Sequence, residues 1–250
     1  MRNYFKTLFM AGAMISLALT GCNKADDATP ENPTNNTGSA PSVTMSDGYG
    51  VMAAVKSVSY TTVAGITVPV EVNTAVAAFS SSMGSSTFVD AGTVTINSKS
   101  LTKSSNNAYA YQNLTDPLSF GTVTWNVAGS GSVPAISYTD NKPFPDYSGF
   151  SSLPSTITRS AGLTVSLGSA VSNADSIYVI VTDYDKHTLI KRLAGNAAQC
   201  VIGASELAGF TAGQGMLQVV PWSYKDEDFN DKKFYFVLEA AYTKQGLTIN

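Results

Sequence analysis

The sequence predicts an all-β protein: two antiparallel β-sandwich domains carried behind a signal peptide and a flexible tether. Three observations predict it. Beyond the first 21 residues no stretch holds a helical period. Period-two alternations bounded by Gly, Asn, Asp and Ser recur at short spacing, as in antiparallel sandwiches. A proline-rich segment then separates two sets of these alternations.

At the N-terminus an apolar run from Leu8 to Leu19 follows Arg2 and Lys6, the positive start and hydrophobic stretch of a secretory signal. It is too short to span a bilayer, which takes roughly 20 apolar residues. Leu19, Thr20, Gly21 and Cys22 resemble the lipobox of bacterial lipoproteins, a likeness confined to the chain up to Asp27. That resemblance implies removal of residues 1–21 and a diacylglyceryl group on the Cys22 thiol. Acyl chains anchor durably, at about 0.8 kcal/mol per buried methylene. Asn23 is not the aspartate that retains lipoproteins in the inner membrane of enteric bacteria, and Lys24, Asp26 and Asp27 resemble the export signal of surface lipoproteins in the Bacteroides group. The resemblance implies an outer-membrane location facing outward, with the periplasmic face as the alternative.

Loss of Arg2 and Lys6 with the signal takes 15 bases to 13 against 18 acids, so the net charge moves from -3 to -5. No basic stripe is present to displace phosphate counterions, and nucleic acid is not an expected partner. Residues 22–45 follow the signal and are rich in Pro, Asn, Thr and Asp. They have too little apolar surface to offset the entropy of ordering, and a tether is expected.

Residues 46–137 make the first expected sandwich. Val123, Trp125 and Val127 share one face with Thr122, Thr124 and Asn126 on the other, and Val94 and Ile96 alternate with Thr93, Thr95 and Asn97. Pro143, Pro145 and Pro154 deny backbone donors and set a connection at 138–155. Residues 156–250 make the second sandwich. There Leu163, Val165 and Leu167 alternate with Thr164 and Ser166, "SIYVIVT" at 176–182 reads as a central strand, and "KKFYFVLEAAYT" as a late aromatic one. Between them "ASELAGFTAGQG", residues 204–215, combines one helical turn with glycine-rich turn chemistry. This order resembles the way immunoglobulin-like and fibronectin-type sandwiches cross between sheets, a likeness of architecture that brings no activity with it.

Chemistry-bearing residues are sparse. His187 is the sole histidine, which rules out a multi-histidine metal site. "GASEL" at 203–207 approaches a nucleophile elbow, yet Leu207 replaces the second glycine and His187 precedes Ser205. Cys200 sits in an apolar run and is expected as a small buried hydrophobe. The glycine pairs fail as phosphate loops, because Pro134 and Gln218 stand at the third glycine position. No catalytic residue and no cofactor are expected.

"DEDFND" opens like a calcium loop, with Asp226, Asp228 and Asn230 at alternate positions, but Asp231 and Val237 occupy the glycine and bidentate glutamate positions. A looser calcium site using Asp226, Asp228 and Asp231, shared with Asp183 and Asp185, stands beside the simpler reading of a charged hairpin turn that keeps the sheet soluble. Aromatics form the remaining lead. Tyr138, Phe144, Tyr147 and Phe150 occupy the connection, and Trp222 with Tyr224 approaches the acidic turn. Flat aromatic faces bind sugars, so Tyr138, Tyr147, Trp222 and Tyr224 are candidate ligand contacts; packing between domains is the competing role.

Three functions follow from these readings. The first is a non-catalytic, lipid-anchored envelope protein acting as a structural, adhesive or interaction module, its partner another envelope protein. The second is a carbohydrate-binding surface lipoprotein using exposed aromatics. The third is a glycosidase, which needs two facing carboxyls at roughly 5–10 Å in a chain whose acids cluster in turns.

Overall fold

The structure, a computed structural model, describes residues 47–63, 66–85, 87–185 and 187–250. The expected signal peptide, the tether and Cys22 lie outside the described residues. Among the described residues the protein is all-β, built of several sheets, none of them closed.

The chain opens with a long hairpin, β1 (Gly50–Val63) and β2 (Ile66–Phe79). Short strands follow: β3 (Val94–Ile96), β4 (Lys99–Ser100), β5 (Thr102–Lys103), β6 (Tyr109–Gln112), β7 (Val123–Val127) and β8 (Ile136–Asp140). Alternation in β3 and β7 is as the sequence predicts: Val94, Ile96, Val123, Trp125 and Val127 are buried. The connection begins later than expected, since Tyr138 lies inside β8. It contains β9 (Asp146–Tyr147) and a 3₁₀ turn at Phe150–Ser152.

Next come β10 (Thr156–Ile157), β11 (Leu163–Ser166), β12 (Val171–Ser172), β13 (Ser176–Asp183), β14 (Thr188–Ala194) and β15 (Gln199–Ile202). One helical turn, α1 (Ala204–Leu207), has its first turn capped by the Glu206 carboxylate, which accepts from the Gly203 N–H. The glycines after it do not all form a turn, because β16 (Gly213–Phe229) already starts at Gly213, and β17 (Lys232–Ile249) closes the chain.

A nine-stranded sheet dominates, in the order β14-β13-β16-β17-β1-β2-β6-β5 with β10 beside the end of β17. β1 runs parallel to β17, and the pairs β1/β2, β16/β17 and β13/β16 are antiparallel. This sheet crosses the boundary expected at 138–155: β1 and β2 from the first segment pair through to β17 from the second. The reason is strand length. β16 has 17 residues and reaches roughly 55 Å at the usual rise, more than one sandwich needs. β13, read as central, lies one place from the sheet edge.

One face of the large sheet carries two packed clusters. Toward the β16–β17 turn, Val94, Ile96, Val123, Trp125 and Val127 of the four-stranded sheet β4-β3-β7-β8 press on Met52, Ala54, Phe79, Phe234 and Phe236. Toward the other end Leu163, Val165, Cys200 and Ile202 of the β11–β15 pair, with Leu207, press on Ile177, Val179, Leu217, Val219 and Tyr242. Phe144 packs against both clusters and stacks on Phe120 at 5.0 Å, so the proline-flanked connection seals the seam between them.

Candidate functional site

The opposite face of the large sheet contributes no side chain to either cluster. Its central register is set by two neighbouring features. Pro221 has no N–H, and the β16–β17 ladder skips from Val219↔Tyr242 to Trp222↔Glu239 around it. On the far side, Ser176 pairs with Trp222 and Val55 pairs with both Glu239 and Thr74. The result is one transverse row on a single face: Ser176, Trp222, Glu239, Val55, Thr74.

This row is polar inside an apolar surround. Val55 is fully buried, and Val220, Val237 and Trp222 are each 5% exposed. Ser176 Oγ, Trp222 Nε1 and Thr74 Oγ1 are buried without a hydrogen-bond partner. Desolvation alone pushes the Glu239 carboxyl up to about 7. Buried polar groups are nearly always satisfied in folded proteins, and each orphan costs about 1–3 kcal/mol. Aromatic rings flank the row. Tyr178 stacks parallel to Trp222 at 5.8 Å, Tyr224 tilts against Trp222 at 5.6 Å, and Tyr235 follows Tyr224 at 6.2 Å.

The row can take up or release one proton at Glu239, while the Ser176, Trp222 and Thr74 polar atoms are shut off from solvent. The neighbouring titratable group is the Tyr178 phenol, raised in pKa mainly by desolvation and in smaller part by the Glu239 charge.

Of the four aromatic residues singled out from the sequence, the structure brings Trp222 and Tyr224 together here and places the other two elsewhere. Tyr138 stacks on Phe236 at 3.7 Å on the packed face, with its hydroxyl raised in pKa mainly by desolvation. Tyr147 is 1% exposed, meets Tyr242 edge-on at 5.8 Å and donates to the Ser166 carbonyl at 3.4 Å. Phe150 stacks on Tyr60 at 3.7 Å. These connection aromatics pack.

The acidic turn is a two-residue hairpin. Asn230 and Asp231 both have positive φ, 50° and 59°, the geometry of a type I′ turn. Lys233 Nζ lies 3.9 Å from Asp226 and 2.7 Å from Asp47. Among the described residues no group of three or more His, Cys, Asp or Glu side chains could hold a metal ion. Asp183 cannot join Asp226, because it pairs with Gly215, eleven residues along β16.

Asp183 has other work. Its carboxylate accepts from the backbone N–H groups of Asp185, His187 and Thr211 and lies 2.8 Å from His187 Nδ1. It ties the β13–β14 turn to the segment before β16. Cys200 is buried and its thiol is pushed up to about 12, the expected inert hydrophobe.

No protein-family model matches this chain, and no curated protein matches it. No helix among the described residues is long and apolar enough to cross a membrane.

Proposed function

We propose that this chain is a non-catalytic, lipid-anchored envelope protein, a structural, adhesive or interaction module held by Cys22 at the outer membrane and facing outward. The observation that carries the non-catalytic reading is the use made of its sole imidazole. His187 Nδ1 faces an Asp183 carboxylate already engaged by three backbone N–H groups, an arrangement that fixes a turn. The two packed clusters are read as two sandwich halves sharing one sheet, which makes a stiff body on the 22–45 tether. The partners of this reading are the membrane, through the lipid, and another envelope protein.

One experiment tests the anchor and the topology together. Metabolic labelling with a fatty acid should mark the full chain and fail to mark Cys22→Ser, and external protease should degrade the protein on intact cells. Membrane association of Cys22→Ser equal to that of the native chain would overturn the anchor.

A second reading, glycan binding, is supported by one arrangement: Trp222, Tyr224 and Tyr178 flank a row of unpartnered hydrogen-bonding groups. The 5% exposure of Trp222 ranks it below the first. Retention on a glycan array that Trp222→Ala abolishes would promote it.

A further inference from the structure

β6 ends at Gln112, and the chain reaches β7 through an irregular loop that opens with Asn113, Leu114 and Thr115. This is the Asn-x-Thr pattern of an asparagine-linked glycan acceptor, with leucine at the middle position, where proline would forbid it. The pattern occurs nowhere else in residues 47–250.

The loop presents the pattern to solvent on a fixed base. Residues 112–117 are all exposed, and Leu114, at 60%, is the most exposed large apolar side chain among the described residues. None of residues 112–117 belongs to either packed cluster, so a bulky hydrophilic group there displaces nothing. At the base, the Tyr111 hydroxyl donates to the Asp116 carbonyl at 2.7 Å and Lys99 Nζ holds the Asp116 carboxylate at 2.6 Å. Leu118, just beyond, is buried.

The Asn113 amide is oriented within this loop. Its Oδ1 accepts from the Thr115 N–H at 3.0 Å, the Thr115 hydroxyl at 2.8 Å and the Asp116 N–H at 3.2 Å. Every bond falls on the oxygen, and Nδ2 is engaged by no described residue. An amide nitrogen is a poor nucleophile because its lone pair is drawn into the carbonyl. Donors placed on Oδ1 stabilise the negative charge that gathers there as Nδ2 gives up a proton, so the Thr115 hydroxyl assists where the charge develops.

We propose that Asn113 is an N-glycosylation site, the acceptor for a sugar carried on a polyprenyl diphosphate and transferred by an oligosaccharyltransferase beyond the membrane the chain crosses. Nδ2 attacks the anomeric carbon C1 of the donor sugar. The Nδ2–C1 bond forms, the C1–O bond to phosphate breaks with its electron pair on oxygen, and polyprenyl diphosphate leaves. The Nδ2 proton passes to a base of the transferase. The inference rests on export of the chain, which the envelope reading supplies, and not on the lipid at Cys22.

Mass spectrometry of the full chain isolated from its native envelope tests it. The tryptic peptide beginning at Ser104 should exceed its sequence mass by one or more sugar residues, and electron-transfer fragmentation should place them on Asn113. Asn113→Gln and Thr115→Val should each lose the increment, while Thr115→Ser, which keeps the hydroxyl, should retain it. All three substitutions fall on exposed residues and should leave the urea midpoint of the unglycosylated body unchanged. The same increment on Cys22→Ser would uphold the site even where membrane association of that variant overturned the anchor. An unmodified peptide, whatever Cys22 carries, would overturn the proposal and leave the anchor standing or falling on its own label. Sugar located on a Ser or Thr hydroxyl of the peptide, or retention of the increment in Thr115→Val, would overturn it too.

Discussion

Trp222 stands directly across the β16–β17 ladder from Glu239, and its indole N–H is buried without a hydrogen-bond partner. The pairing sits immediately beside the gap that Pro221 leaves in the ladder. A carboxyl in that position titrates near neutrality because burial disfavours its charge.

The first prediction is a pH dependence of stability. Glu239 has a folded pKa of about 7 against 4.5 for an ordinary glutamate. The folded state therefore holds the proton more tightly than the unfolded chain. Its contribution is most favourable below pH 4.5, falls as the pH rises to 7 and is flat above it, a loss of about 3 kcal/mol. Glu239→Gln should remove this dependence, raising the urea midpoint at pH 8 and leaving it nearly unchanged at pH 4.5. Equal midpoint shifts at both pH values would show that the half-buried carboxyl is not desolvated enough to raise its pKa.

The orphaned atoms give a second. Ser176 is fully buried and its Oγ has no partner, so Ser176→Ala removes a desolvation penalty at little loss of packing. It should stabilise the protein by up to about 1 kcal/mol in urea unfolding. A loss larger than about 1 kcal/mol would mean that the hydroxyl is satisfied in solution.

How much of this was legible in the sequence depends on how many faces of a strand are covered. β7 alternates cleanly because Asn126 faces solvent while Trp125 is buried. β16 runs from Gly215 to Ser223 buried on both faces, so it shows no period, and Pro221 argues locally against an interior strand. β1 is blurred in the same way by Met52, Ala53, Ala54 and Val55. Trp222 and Tyr224 could be paired from their i, i+2 spacing. Glu239 could have been found as a lone acid in the apolar run "FYFVLEAAY". Ser176 and Thr74 could not, since they reach the row only through the register of four strand pairs.

The hairpin makes the third prediction. Asp231 pays a conformational cost at φ 59° that glycine does not. Asp231→Gly should raise stability by about 0.5–1 kcal/mol, as Asn-Gly is the preferred type I′ sequence. Millimolar calcium should leave the melting temperature of the native chain and of Asp226→Ala alike. A calcium-dependent rise lost in Asp226→Ala would establish the looser site that the acidic run suggested.

The last prediction separates Asp183 from His187. The Asp183 side chain is 2% exposed, and that of His187 is 47% exposed. Removing the Asp183 carboxylate strands three backbone N–H groups, of Asp185, His187 and Thr211, in a partly buried turn. At roughly 1–3 kcal/mol for each buried donor left unmet, Asp183→Ala should cost about 3–5 kcal/mol even if water reaches one of them. Asp183→Asn keeps an acceptor oxygen and should recover part of the loss. His187→Ala gives up a ring packed near Phe210 and one contact with the carboxylate, and should cost no more than about 1 kcal/mol. Chemical denaturation of the three variants reads the stabilities. Comparable losses for Asp183→Ala and His187→Ala would mean that the imidazole, rather than the backbone, is what the carboxylate holds.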